Sequence, residues 1–169
     1  TGIINDDRGA FLLLESMKYL PSQYHLNILG FGTEKNMNRF YDTMARLNAE
    51  FGEERIRFFG TKSGKDYSEF LIHNQIGISL MDDDVHISTN AFPSKIMSYL
   101  GHCLYVVSSK TASIVNSKVA DVLYFCDNEP QSIADAILSV PLQEENRAAE
   151  KLQELEKDFI RNLEKVIEG

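Results

Sequence analysis

Short apolar runs and longer amphipathic stretches alternate along this chain, so the hydrophobic pattern switches repeatedly between a strand period and a helix period. Thr1 to Ile4 reads as the end of a strand and its turn. Residues 9–20 carry Phe11, Leu12, Leu13, Met17 and Leu20 at helical spacing, and Pro21 ends the stretch. Residues 25–30 form a short strand, and Gly30-Phe31-Gly32 turns out of it. A helix follows with Met37, Phe40, Tyr41, Met44 and Leu47 inward. Residues 55–59 make the next strand, which ends at Gly60. A short helix from Asp66 to His73, a strand from Ile76 to Met81 and a polar loop from Asp82 to Phe92 come next. A helix opened by Pro93-Ser94-Lys95, a strand over 103–108 and a short helix around 111–117 follow. A strand from Val122 to Cys126 and a helix from Pro130 to Ser139 complete the alternation. The tail from Leu142 to Ile167 is one long charged helix, with Leu152, Leu155, Phe159, Leu163 and Val166 in a single apolar stripe.

Strands separated by helices predict an α/β fold: a Rossmann-like parallel sheet with helices on both faces, joined by right-handed crossovers. Ligands on such sheets bind beyond the carboxyl ends of the strands. That directs attention to Gly2–Gly9, Gly30–Glu34, Gly60–Tyr67, Met81–Lys95 and Ser108–Ser113. No repeat or internal boundary stands out, so residues 1–169 read as a single domain. Thr1 follows no methionine, and the expectation is a fragment preceded by a strand and an N-terminal domain.

Composition narrows the function classes. The net charge of −8 argues against a general nucleic-acid surface, though not against a local basic pocket for one nucleotide. No run of about 18 apolar residues exists and no signal-peptide pattern is seen, so the expected location is cytoplasmic. Cys103 and Cys126 both lie in apolar runs and are expected to be buried free thiols.

The most informative stretch is Asn90 to Leu100. Proline suits the first turn of a helix, where its missing N–H is no loss. The unpaired N–H groups there, the positive end of the helix dipole and Lys95 together make a site for an anion, in an α/β protein usually a phosphate.

This passage resembles the Pro-Ser-Lys segment of GT-B glycosyltransferases, the glycosyltransferase family 4-like group. The order of the other pieces matches too: a glycine turn with a basic residue, Leu26-Asn27-Ile28-Leu29-Gly30-Phe31-Gly32, Ile56-Arg57-Phe58-Phe59-Gly60, then Pro93-Ser94-Lys95 and a Val-Val-Ser strand. The resemblance covers nearly the whole chain and implies the C-terminal, donor-binding half of such an enzyme. It implies a nucleotide diphosphate sugar as substrate, no separate cofactor, and transfer to a glycan or lipid-linked acceptor in surface polysaccharide synthesis. It also implies a missing acceptor domain and a full enzyme working at the cytoplasmic membrane face. By the same resemblance Gly2, Arg8, Pro93, Ser94, Lys95 and Ile96 hold the donor diphosphate, and Gly60, Thr61, Tyr67, Asn90 and Ser98 take the base and ribose.

The chain departs from the pattern in three places. Ile3 stands where many members have arginine, which leaves Arg8 as the better phosphate contact. Asn90 and Ser98 fall where many carry two glutamates, and a serine accepts poorly from two ribose hydroxyls. His102-Cys103-Leu104-Tyr105 replaces an Ala-Gly-x-Pro run. A non-catalytic binding or interaction module with a decayed site is therefore an alternative.

A second alternative is a GT-A-like metal-dependent transferase. It would use Asp82-Asp83-Asp84, with His86 nearby, to hold a divalent cation across the donor phosphates. No zinc-type spacing, nucleophile triad or dinucleotide fingerprint is present: the third glycine after Gly30 and Gly32 would fall at Lys35.

Overall fold

The computed structural model describes residues 2–5, 9–81 and 92–168. Among the described residues, seven short strands are interspersed with helices: β1 Gly2–Ile3, α1 Ala10–Ser16, β2 Leu26–Ile28, β3 Gly30–Phe31, α2 Glu34–Phe51, β4 Ile56–Phe58, α3 Gly64–Ile72 and β5 Ile76–Ser79. They continue with α4 Ser94–Gly101, β6 Tyr105–Ser109, α5 Ala112–Val115, β7 Leu123–Cys126, α6 Pro130–Leu138 and α7 Ala148–Glu168. All strand pairings are parallel: β1 with β3, β2 with β4, and β5-β6-β7 in that order.

Helices cover both faces, as the alternation requires. Val106 and Val107 are adjacent in β6 and fully buried, and successive strand residues point to opposite faces. Val107 joins a core with Leu14, Phe40, Leu47 and Ile133 from α1, α2 and α6. Val106 joins the other, with Leu71, Ile96, Leu100 and Ile114 from α3, α4 and α5, against which Leu152 and Leu155 of α7 also pack.

Local chemistry fixes the elements. Thr33 caps α2 by accepting the Asn36 N–H at 3.4 Å, and Gly52 ends that helix in the left-handed region at φ 72°. Asn48 on α2 clamps β4: its Oδ1 accepts from the Arg55 and Ile56 N–H groups, and its Nδ2 donates to Ile56 O. Arg55 is buried. Its guanidinium donates to the carbonyls of Leu20, Pro21 and Tyr24 at 3.0, 2.7 and 3.1 Å, and lies over the Phe51 ring. These bonds satisfy the carbonyls left over where Pro21 stops the first helix.

Several sequence expectations are corrected. Gly30-Phe31 is strand β3, not a turn, because Gly30 pairs with Gly2. A β-carbon at Gly30 would collide with the Gly2 carbonyl oxygen, so only glycine permits this approach. The first helix runs as α from Ala10 to Ser16 and tightens to a 3-10 turn at Met17–Tyr19. Helix α3 begins two residues early, at Gly64. Helix α7 begins at Ala148 and not near Leu142, since the Tyr105 hydroxyl donates to Pro141 O and Glu144 O and holds that segment in turns. Cys103 is exposed at φ 57°, ahead of β6, so only Cys126 is a buried thiol. The stripe on α7 is half-buried only at its start, at Leu152 and Leu155; Phe159, Leu163 and Val166 are exposed.

Among the described residues no helix is long and apolar enough to cross a membrane.

Candidate functional site

The first residue of β1, Gly2, meets Lys95 at the start of α4. Gly2 opens β1 at φ 144°, and a β-carbon there would lie 2.6 Å from Lys95 Nζ. The lysine ammonium therefore occupies the space that a side chain at position 2 would fill. Lys95 itself is half-buried in the first turn of α4. Lys95 therefore sits at the positive end of the α4 dipole.

Pro93 is the residue that caps α4, in extended conformation at φ −68°, and Ser94 is the first helical residue. This corrects the expectation that proline sits inside the first turn. Pro93 O accepts the Ile96 N–H at 3.0 Å, and the Ile96 side chain is fully buried in the core. Ile96 thus anchors the helix, while Ser94 is exposed at its tip.

A second pair lies one turn further along α4. The Ser98 hydroxyl donates to the Tyr67 hydroxyl at 3.4 Å, joining α4 to α3. Both are half-buried. The sequence expectation assigned both to one subsite, and the fold brings them together. Gly60 lies just past β4, with its carbonyl accepting the Gly30 N–H at 2.8 Å, and Thr61 is exposed beside it. Arg8, Asn90, Asp82–Asp84 and His86 lie outside the described residues. Among the described residues no group of three or more His, Cys, Asp or Glu side chains is placed to hold a metal.

Two features escaped sequence reasoning. Asn5, two residues past β1, has a buried Oδ1 with no hydrogen-bond partner. A polar residue in the turn after the first strand was the available signal. The other is a closed ring at the end of β5. The Met81 N–H donates to Ser109 Oγ, Ser109 Oγ donates to Asn128 Oδ1, and Asn128 Nδ2 donates to Met81 O, at 3.0, 2.7 and 2.8 Å. It fixes where β5 exits toward α4, and its members are too far apart in sequence for any local pattern to reveal.

No protein-family model and no curated protein matches the chain. Solved structures do. The UDP-forming α,α-trehalose-phosphate synthase of Burkholderia vietnamiensis superposes with a TM-score of 0.67 at 15% identity, covering 97% of this chain and 44% of that one. Anabaena HepE, solved in complex with UDP, gives 0.67 at 15% identity, with 91% and 42% covered. A glycosyltransferase from Rickettsia africae gives 0.63 at 18% identity, with 89% and 41% covered. At these identities the likeness establishes the fold: a Rossmann-like α/β domain of the kind found in GT-B glycosyltransferases. The chain spans less than half the length of each of these neighbours.

Proposed function

We propose that this chain is the donor-binding domain of a GT-B glycosyltransferase of the family 4-like group. It binds a nucleotide diphosphate sugar, and the full enzyme transfers the sugar to a glycan or lipid-linked acceptor. The observation that carries the reading is Lys95 at the start of α4, with its ammonium laid over Gly2, the first residue of β1. Gly2 pairs with Gly30, which lies past the carboxyl end of β2, and ligands of such folds bind beyond the carboxyl ends of the strands. The likeness to HepE, whose structure contains UDP, supports the same ligand class.

The chemistry follows from charge. Breaking the bond between sugar and diphosphate leaves negative charge on the leaving phosphate. The first-turn N–H groups, the helix dipole and Lys95 are fixed before that charge appears, which is how such groups lower a barrier. The acceptor site and any catalytic base belong to the second domain of the whole enzyme.

A second reading is a domain that has lost catalysis and serves as a binding module. Ser98 favours it: the residue expected to meet the ribose is a serine, already engaged with Tyr67.

Calorimetric titration with UDP, GDP and their sugars, with and without Mn²⁺, tests the first reading. Metal-independent binding that Lys95→Ala weakens about 10- to 100-fold is expected, the worth of one hydrogen bond to a charged group. Binding only with Mn²⁺ would transfer the role to Asp82–Asp84. Absence of all nucleotide binding in the two-domain enzyme would leave the interaction module.

A further inference from the structure

We infer, on the basis of the donor-binding reading, that Ser109 and Asn128 are positioning residues of the nucleotide site: through Met81 they set how α4 presents Lys95 to a phosphate. The paired part of the sheet ends at Ser79 with Ser108 and at Ser109 with Cys126. Met81 lies two residues past β5, beyond that pairing. Its backbone groups find partners all the same. The Met81 N–H donates to Ser109 Oγ at 3.0 Å, and the Met81 carbonyl accepts from Asn128 Nδ2 at 2.8 Å. Ser109 Oγ donates in turn to Asn128 Oδ1 at 2.7 Å. Side chains from the ends of β6 and β7 thus continue the ladder past its last backbone pair.

The ring is closed and runs in one direction: each member donates once and accepts once. Ser109 is buried, and its single hydroxyl proton is already given to Asn128, so it has none for a ligand. What the ring can control is Met81. The Met81 side chain packs against the core that contains Ile96, Tyr99 and Leu100 of α4. Phe92, just ahead of Pro93, packs on the same core. Ile96 is fully buried and adjoins Lys95, so the setting of that core directs the lysine. A close-packed interior passes a shift on rather than absorbing it. Opening the ring frees Met81, lets the core settle differently beneath Ile96, and moves the Lys95 ammonium off its place over Gly2.

The test is calorimetric affinity for UDP and GDP in the full-length enzyme, read beside Tm and the amide exchange of Met81. Ser109→Thr and Ser109→Val have the same shape and differ by one hydroxyl, so they share any cost of the added methyl group. Ser109→Val is expected to weaken binding about tenfold and to speed exchange of the Met81 N–H. Ser109→Thr is expected to keep the wild-type affinity. Leu47→Ala, in the opposite core, is expected to lower Tm and leave affinity unchanged. Asn128→Ala removes the ring at a half-buried position and should weaken binding as Ser109→Val does; it carries the test should Ser109→Val fail to fold. Equal affinity in the two Ser109 variants, or unchanged affinity in Asn128→Ala, would overturn the inference. So would Leu47→Ala weakening binding as much as Ser109→Val, since affinity would then follow overall stability. A wild-type enzyme that binds neither nucleotide would sink the donor-binding reading and this role with it, whereas wild-type binding that ignores the Ser109 hydroxyl would sink this role alone.

Discussion

Lys95 and Gly2 share one site in space: the ammonium of the first lies 2.6 Å from where a β-carbon of the second would be. The glycine is therefore a condition for the position of the lysine, as well as a backbone requirement at φ 144°. Gly2→Ala is expected to cost about 1–3 kcal/mol in stability from backbone strain. It should also weaken nucleotide binding about tenfold by displacing the ammonium. Thermal unfolding and calorimetry on the same sample separate the two effects, and unchanged affinity would detach Lys95 from the ligand.

Arg55 is a buried charge whose hydrogen bonds all run to neutral carbonyls or pass through its own backbone. Arg55→Ala leaves three carbonyl groups without their donor and opens space beside Phe51. A loss of about 3 kcal/mol in unfolding free energy is expected by denaturant titration. Arg55→Lys should recover little, because an ammonium cannot span the same fork.

The Lys18 ammonium, hydrogen-bonded to Glu15 at 2.7 Å, pulls the Glu15 carboxyl below its ordinary value of 4.5; burial opposes the shift and Arg46 reinforces it. A lowered folded-state pKa means stability that is present above the unfolded value and lost as pH falls through the folded one. Unfolding free energy should therefore decline between roughly pH 5 and 3. In Glu15→Gln that decline should be shallower, while an unchanged slope would assign the acid sensitivity to other carboxylates.

Burial pushes the Cys126 thiol up to about 11, with Asp127 adding to the effect. Cys103 is exposed. At about pH 8 a thiol reagent should label one cysteine in the folded protein and two in denaturant, since the thiolate is the reactive form. Labelling of Cys126 without denaturant would mean that the α6 side of the sheet opens readily.

The architecture was legible because its signals are local. Helix α2 carries an inward stripe at Phe40 and Leu47 with a threonine before it and a glycine after it, and the α4 segment begins with proline and serine. The errors have a common cause. Gly30-Phe31 reads as a turn because two glycines flank the phenylalanine, yet its conformation is dictated by β1, distant in sequence. The sequence pattern puts the start of α7 too early because Tyr105, far upstream, holds the preceding segment with its hydroxyl. Of the candidate site, Lys95 with Gly2 and Ser98 with Tyr67 are brought together. Asn5 and the Ser109–Asn128–Met81 ring depend on three-dimensional closure that no window of sequence contains.

Val106 and Val107 floor opposite cores from consecutive peptide units of β6. A strand cannot release one of these side chains without disturbing the backbone that aims the other. The two helical layers are accordingly coupled in melting, and the domain should lose both in one transition. A cavity cut beneath α4 would then lower the midpoint seen by a reporter on α2, on the far side of the sheet.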